Sequence, residues 1–449
     1  MKSLFSNIFF KMGVILVLIL ILLIPTSMVK DLIHERMNRQ MEASQEVRSK
    51  HAMAQNLSGP VLTIPFVSTK NVRDAKGNMV KRTEKQFLHI LPERLDIECQ
   101  LRPETRKRGG IYEVVVYNSE LKYKGLFDKI NLDKHGIRPD QLRLNEAFIT
   151  TGISDMKGLS QQVSLKVNDS VYNFDPGVTN EDIIHSGLNV PIQLDSLQEQ
   201  LKISYNLGLK GSEGLMFAPI GKETTLKISS DWKDPSFNGN FLPDERKVSE
   251  DGFNATWKVF HLNRNYPQNW VGRKHSISNS MFGVDLKLPV DIYQKSERVA
   301  KYAMLFIVLT FLVFFFVEIL NKVLIHPIQY ILVGVALVLF YVLLIAFSEQ
   351  LFFNLAYLVA AAMTILLVTF YCRSVLRTWG LASMTGSILT ILYGFIFILI
   401  QLQDYALLFG SLGVFLILAV TMYFSRKIDW FAIIGTNDQS ANEVEREES

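Results

Sequence analysis

Cysteine is scarce in this sequence. Its 449 residues include two cysteines, Cys99 and Cys372, which lie in segments far apart along the chain. Two cysteines in separate segments cannot build a thiolate zinc site, which draws its ligands from closely spaced residues. A disulfide between them is excluded by the topology predicted below, which places them on opposite sides of a membrane. Cys99 is therefore predicted to be a small buried apolar residue, with a free reactive thiol as the alternative.

Net charge is also small. The chain has 47 Lys and Arg against 43 Asp and Glu, a formal charge of +4. For this length such a balance gives no indication of nucleic-acid binding. The sequence also lacks a basic patch with interleaved aromatic residues, the pattern of single-stranded nucleic-acid binders. We therefore expect no nucleic-acid partner.

Motifs of catalysis and metal binding are missing as well. None of the eight histidines has metal-ligand spacing on a helix; they are His34, His51, His89, His135, His185, His261, His275 and His326. The stretch HERMN begins like a zinc-protease motif but has Asn38 where the second histidine is needed. The glycines of residues 208–214 match neither a dinucleotide fingerprint nor a phosphate loop, and no Gly-x-Ser-x-Gly elbow occurs. The sequence thus predicts a non-enzymatic protein with no metal and no cofactor.

What the chain does contain is long apolar runs. A helix of about 20 apolar residues crosses the bilayer core. Six runs qualify: residues 12–29, 302–317 with an extension toward 320, 328–347, 351–371, 381–400 and 405–424. The first run, with Lys2 and Lys11 before it, also resembles a cleaved signal peptide. Its cleavage pattern is weak and the helical pattern continues past it, so we predict an uncleaved signal anchor.

Positive residues in the short flanks predict the orientation of these helices. The short turns at residues 348–350 and 401–404 contain no Lys or Arg. The opposite helix ends carry the positive residues Lys2, Lys11, Lys322, Arg373, Arg377, Arg426 and Lys427. Both termini are therefore predicted to be cytoplasmic, with residues 31–301 on the outer side.

The remaining pattern predicts the fold class. From residue 57 onward, alternating and β-branched segments separated by turn residues predict an antiparallel, sandwich-like β-rich domain or two small β units. We therefore expect a membrane protein with an N-terminal signal-anchor helix, a large exported β-rich domain and a C-terminal five-helix transmembrane bundle. Its predicted parts are an N-terminus and anchor at 1–30, a stalk helix at 31–56, the β-rich domain at 57–301, the bundle at 302–425 and a largely disordered cytoplasmic tail at 426–449.

One segment of the exported domain combines aromatic residues with turn residues. It is SDWKDPSFNGNFLPDERKVSEDGFNATW, residues 230–257. Its aromatic residues are expected to point inward and fill the sandwich core; the alternative is a platform on which a glycan stacks. The candidate ligand or partner surface consists of Trp232, Phe237, Asn238, Asn240, Phe241 and Arg246.

The apolar helices carry a pattern of small residues. Small side chains every four residues let helix backbones approach closely, and the fifth helix has Ala382, Gly386, Thr390 and Gly394. This predicts a packing face within a compact bundle, with a homo-oligomer contact as the alternative. Within the predicted bounds, helices two to six contain no charged residue, which argues against an ion-coupled carrier. Glu318, at the cytoplasmic end of the second helix, is predicted to snorkel to the interface, with a functional carboxylate as the alternative.

Four stretches give the chain a family resemblance. They are PSFNGNFLPDERKVSEDGFNATW, HPIQYILVGVALVLFYVLLIAFSE, QDYALLFGSLGVFLILA and SRKIDWF. With the anchor and the domain order, they resemble the CreD-like inner membrane proteins, which are described as cell envelope integrity proteins of Gram-negative bacteria. The resemblance covers nearly the whole chain. It departs at Gln350, where the family often has His, so no catalytic or metal role is expected there.

The resemblance implies an inner membrane location, a periplasmic β-rich domain and a role in envelope stress. It implies no mechanism. We predict that the β-rich domain binds a periplasmic ligand, a protein partner or cell-wall glycan without catalysis, while the helices hold it in the lipid bilayer. The alternative is a transporter or flippase of a lipid-linked or apolar envelope substrate. An envelope hydrolase is a third hypothesis, and it needs clustered carboxylates or a nucleophile.

Overall fold

The computed structural model of the protein describes residues 8–73, 79–108, 112–129, 132, 135–196, 198–286, 292–321, 323–402 and 405–426. The predictions made for Lys2, Lys322, Lys427 and the rest of the tail fall outside these ranges. The chain divides into two compact units. The membrane unit comprises Met1–Gln40 and Val290–Ser449, and the β-rich unit comprises Met41–Pro289.

The helices are α1 (Ile8–His51), α2 (Ile292–Lys301), α3 (Ala303–Asn321), α4 (Pro327–Ser348), α5 (Phe353–Leu376), α6 (Trp379–Gln401) and α7 (Ala406–Ser425). Among the described residues, six of these helices are long and apolar enough to cross a membrane, namely α1 and α3 to α7. The predicted anchor helix and five-helix set are therefore confirmed. The additional helix α2 is shorter and immediately precedes α3.

The limits of two helices compare with those predicted as follows. The second apolar helix was expected at residues 302–317 with an extension toward Leu320, and α3 ends at Asn321 and so includes Glu318. The helical segment expected up to residue 56 ends at His51, because Gln55 already pairs with Leu215 in a sheet. The start of α4 follows the sequence signal: Pro327 occupies the first turn, and the ring of His326 accepts a hydrogen bond from the amide of Ile328.

The strands of the β-rich unit are β1 (Gln55–Arg73), β2 (Met79–Ile90), β3 (Arg94–Arg108), β4 (Tyr112–Phe127), β5 (Phe148–Ile153), β6 (Ser164–Val167), β7 (Ser170–Asn173), β8 (Asp175–Pro176), β9 (Gly187–Pro191), β10 (Leu201–Ser212), β11 (Gly214–Phe217), β12 (Glu223–Ser230), β13 (Pro235–Gly239), β14 (Glu245–Ser249), β15 (Gly252–Phe260), β16 (Asn269–Val271) and β17 (Phe282–Leu286).

These strands form two sheets. The first has the order β13-β17-β11-β1-β5-β9-β8, with β2 pairing both β1 and β16. The second has the order β14-β15-β12-β3-β4-β10-β6-β7. Most neighbours are antiparallel, but β1 pairs with β11 and β3 pairs with β12 in parallel. The β-rich prediction is thus confirmed, and these two parallel pairs are the departure from an antiparallel sheet.

The two sheets share one apolar core. Residues alternate between buried and exposed along β3, β4 and β10, as expected for strands with one face covered. Trp257 from the second sheet and Phe282 from the first are both fully buried, with ring centroids 5.9 Å apart. Cys99 lies in this core, and burial raises the pKa of its thiol, which makes it an inert apolar residue as expected.

Candidate functional site

The aromatic residues of the segment 230–257 point into the β-rich unit. Phe237 packs edge-on against Phe253 and Trp257 at 5.6 and 5.7 Å between ring centroids. Phe241 packs against Phe282 at 5.8 Å, and its carbonyl accepts the indole N–H of Trp257. The structure therefore brings these rings to the core, where they hold the connection between the sheets.

The polar members of the same candidate surface are partly used within the chain. The amide of Asn238 donates to Asp285 at 2.9 Å, and the side chain of Asn240 donates to the carbonyl of Asn279. Trp232 is half-buried, and its indole N–H donates to the carbonyl of Asp234 at 3.1 Å. Arg246 is exposed on β14. The six candidate residues thus lie along one connection, but several of their groups already have partners.

The predicted small-residue face of the fifth apolar helix, α6, is divided. Ala382 and Gly386 are buried, and a Cβ placed on Gly386 would approach Thr369 Oγ1 of α5 to 2.5 Å. Thr390 and Gly394 are exposed within the single chain. Close packing of α6 against α5 therefore uses the first two positions of the four.

Glu318 is not the snorkelling residue that the sequence indicated. It is 4% exposed, and its carboxylate accepts from Lys11 Nζ at 2.6 Å and from Tyr330 Oη at 2.9 Å. A third bond comes from the amide of Ile325 at 3.2 Å. The prediction was wrong because the partner is supplied by α1, 307 positions away along the chain. A buried carboxylate that has a cation and two further hydrogen-bond donors as partners is stabilised in the interior and does not need to reach the membrane interface.

A buried polar chain runs through the first sheet. Thr63 Oγ1 lies 3.0 Å from His89 Nδ1, and His89 Nε2 lies 3.2 Å from Asp182 Oδ2. Thr63 and His89 are each 2% exposed. Burial lowers the pKa of His89, and the hydrogen bond to Asp182 opposes this effect. The adjoining cavity, about 10 Å³, has room for about one water molecule and excludes a substrate.

An open groove crosses the outer face of the second sheet. Its volume is about 430 Å³. It is lined by Arg94, Asp96, Lys124, Gly125, Leu126, Lys166, Asn168, Lys202, Ile203 and Ser204. These residues come from β3, β4, β10 and β6, four consecutive strands of the sheet, and from the turn after β6. We refer to this concavity as the basic groove.

Strand register explains why these side chains meet. Lys124 lies directly opposite Asp96 on one side and Ser204 on the other. Ser204 in turn lies opposite Lys166. Residues i and i+2 of a strand share a face, so Lys202 stands beside Ser204 on the same side of the sheet. The result is three lysines arranged around one serine.

The charges of the basic groove are unequal. Four cationic side chains line it, together with one carboxylate, that of Asp96. Asp96 accepts from Arg94 Nε at 2.9 Å, so the carboxylate is already neutralised by the arginine. The three lysines are exposed at the sheet surface. The groove therefore presents net positive charge to a ligand.

Sequence reasoning missed both His89 and the basic groove. Each groove lysine alternates with apolar residues in a predicted strand. Taken alone, this pattern indicates an ordinary solvent-exposed strand residue. Their common location depends on the order of four strands, which no local pattern contains. Within the described part of the chain, no group of three or more His, Cys, Asp or Glu residues is arranged to hold a metal.

The geometry defines a multi-pass membrane protein that carries a large two-sheet unit. Comparison with known proteins gives the family: the model for inner membrane protein CreD matches residues 7–431. Inner membrane protein CreD of Escherichia coli (strain K12) is 32% identical over 443 residues, which cover 98% of this chain and 97% of that protein. The chain therefore belongs to the CreD family of inner membrane proteins, as its resemblance indicated.

Proposed function

We propose that the protein supports cell envelope integrity as a membrane-anchored binding protein without catalytic activity. In this proposal both termini lie in the cytoplasm and the β-rich unit lies in the periplasm, where it binds a ligand or partner. The basic groove is the observation that supports this function, because it is an accessible concavity of about 430 Å³ with net positive charge. Ligand sites are concave and have volumes of about 300–1,000 Å³.

The burial of Thr63 and His89, which form hydrogen bonds in series with Asp182, argues against a hydrolase and therefore favours a binding protein. Thr63, His89 and Asp182 combine a hydroxyl, an imidazole and a carboxylate, the group types of a hydrolase triad. A triad hydroxyl must reach a substrate carbonyl, whereas Thr63 is 2% exposed and the cavity beside it measures about 10 Å³. The chain of bonds therefore acts as a buried polar connection between β1, β2 and the loop that contains Asp182.

Transport or flipping of a lipid-linked or apolar substrate is the alternative function. We favour binding because the basic groove belongs to the β-rich unit, whereas the buried carboxylate of α3, Glu318, is bonded to Lys11 and Tyr330. Ion-coupled carriers use such groups as sites of exchange. Here the carboxylate has a fixed set of partners.

Crosslinking in living cells tests the proposed function. A photoreactive amino acid is placed at Leu126, which lines the groove without being one of its cationic groups, and at Lys247 on β14 as a control position outside the groove. We expect a discrete adduct from position 126 and none from position 247. Equal adducts from both positions, or adducts from position 247 alone, would contradict a binding surface at the groove.

A further inference from the structure

We propose that the basic groove binds a phosphoryl group that carries two or more negative charges, held by Lys124, Lys166, Lys202 and the hydroxyl of Ser204. This inference rests on the proposed binding function and names the ligand class for it. The evidence is the arrangement of charge, the size of the groove and the excess of cationic over anionic side chains in its lining.

The spacing of the three lysines suits one small anion. Adjacent strands lie about 4.8 Å apart, and residues i and i+2 are about 6.7 Å apart along a strand. Lys124 and Lys166 stand one strand to either side of Ser204, and Lys202 stands two residues before it. A lysine side chain reaches farther than these separations, so three ammonium groups can converge above the Ser204 hydroxyl. The groove, at about 430 Å³, has room for a phosphoryl group and part of the molecule that bears it.

The charge pattern of the groove favours a ligand with several negative charges. Lys202 lies diagonally across from Lys124, and like charges brought close together on one face of a sheet repel one another. The carboxylate that lines the groove, Asp96, is bonded to Arg94 and is two strands away from Lys202. An anion over Ser204 relieves the repulsion among the three lysines, whereas a neutral glycan does not.

Phosphoryl oxygens match these donors better than a single carboxylate does. Lysine binds phosphate as a point charge with three donor hydrogens, and its bonds to an ionised oxygen are charge-assisted. A phosphoryl group with two or three peripheral oxygens can accept from three ammonium groups and one hydroxyl at the same time. Exposed charges are weakened by salt, so the affinity should fall steeply as ionic strength rises.

The test uses the full chain in a zwitterionic detergent. Calorimetric titration with inorganic pyrophosphate is performed on the wild type and on K124Q/K166Q/K202Q. The control variant K81Q/K227Q/K247Q removes three lysines that are exposed on other strands of the same unit. We expect saturable binding by the wild type and the control, a loss of at least tenfold in the groove variant, and a smaller loss in Ser204→Ala.

Further probes separate the sources of the anion. Short-chain phosphatidic acid, a phosphomonoester, tests a lipid headgroup, diacylglycerol of the same chain length tests the apolar tails alone, and citrate tests carboxylates. Binding of pyrophosphate or phosphatidic acid that the groove variant loses supports the proposal, from a soluble or a lipid source respectively. No binding of either probe, equal binding of citrate, or equal loss in the control variant overturns it.

The two proposals fail separately. If neither phosphoryl probe binds but position 126 still yields a discrete crosslink in cells, the groove binds a different ligand and only the present inference is wrong. If pyrophosphate binds in solution but position 126 gives no adduct in cells, the proposed function at this surface is wrong.

Discussion

At the scale of single residues, the β-rich core contains ionisable side chains whose partners come from distant segments. Arg264 is 8% exposed; its guanidinium donates to the carbonyls of Tyr266 and Ile220 and lies 4.1 Å from the Tyr266 ring centroid. Burial lowers the pKa of Arg264 to about 10. At neutral pH it therefore remains charged inside the core. Main-chain carbonyls, which no sequence pattern distinguishes, provide its hydrogen bonds together with the side-chain oxygen of Gln268.

His89 gives the β-rich unit a specific dependence on pH. Its imidazole is buried between Thr63 and Asp182, and burial lowers its pKa. The unfolded chain takes up this proton at about pH 6.5 and the folded chain only at a lower pH. Stability from neutral His89 is therefore complete above about pH 6.5 and is lost as the pH falls toward the folded pKa.

Thermal unfolding of the full chain in detergent from pH 7 to pH 5 checks this prediction. We expect H89Q to lose stability less steeply than the wild type over this window, because Gln has no proton to take up. The difference in slope should not exceed about 1.4 kcal/mol per pH unit for one proton. Parallel curves for the wild type and H89Q would contradict the role given to His89.

At the scale of elements, the segment 230–257 joins the two sheets through its side chains. Strand β13 is an edge strand of the first sheet, yet its Phe237 packs on Phe253 and Trp257 from β15 of the second sheet. The turn-rich composition between β13 and β14 lets the chain pass from one sheet to the other within a few residues. Packing of the aromatic rings then holds this connection between the two sheets in one geometry.

Replacing Phe237 separates a packing role from a binding role. We expect F237A to reduce the free energy of unfolding by about 2–3 kcal/mol, below the usual range for a fully buried Phe because its ring is half-buried. W232A should cost less, since the indole N–H bonds only within its own turn. Chemical unfolding followed by fluorescence measures both. If W232A/F237A folds normally but loses crosslinking in cells, the aromatic residues form a binding face; if it changes neither, both interpretations are wrong.

At the scale of the whole molecule, the two chain segments of the membrane unit, Met1–Gln40 and Val290–Ser449, are joined by direct contacts. Lys11 on α1 and Glu318 on α3 form the buried ion pair, and Leu22 of α1 packs at Gly334 of α4. The helix that resembled a signal peptide is thus an integral part of this unit. Removing one partner of such a pair leaves a buried charge without compensation, at a cost of about 3–5 kcal/mol.

A double-mutant cycle tests the ion pair. We expect K11M and E318Q each to lower the thermal stability of the full chain in detergent, and K11M/E318Q to lose clearly less than the sum of the two single losses. The exposed pair Glu35 and Arg39 is the control, and its cycle should show a coupling below about 0.5 kcal/mol. Additive losses for Lys11 and Glu318 would show that the two side chains do not interact.

The sequence was sufficient for the features that depend on local patterns. The run at residues 328–347 became α4 with a difference of one residue at each end, because a continuous apolar stretch has few alternatives to a spanning helix. Alternation likewise predicted β3, β4 and β10. The parallel pairing of β3 with β12 was not predictable, since 15 and 8 residues of alternating sequence contain no information on strand order.

The candidate site was less predictable for the same reason. Lys124, Lys166 and Lys202 become neighbours only after β4, β6 and β10 align in register. Thr63, His89 and Asp182 meet through the pairing of β1 with β2 and a loop more than 90 residues farther on. Glu318 was misjudged because its cation precedes it by 307 positions. In each case the missing information is the contact between distant segments.

The separation of Lys11 and Glu318 also has a consequence for biosynthesis. A ribosome adds about 5–20 residues per second, so the 307 residues between them take about 15–60 seconds to synthesise. During that time α1 has already emerged from the ribosome, and its lysine has no carboxylate partner. Water or lipid headgroups must therefore solvate the Lys11 ammonium until α3 is made. A nascent chain halted before residue 318 should hold its first helix less firmly than the finished protein does.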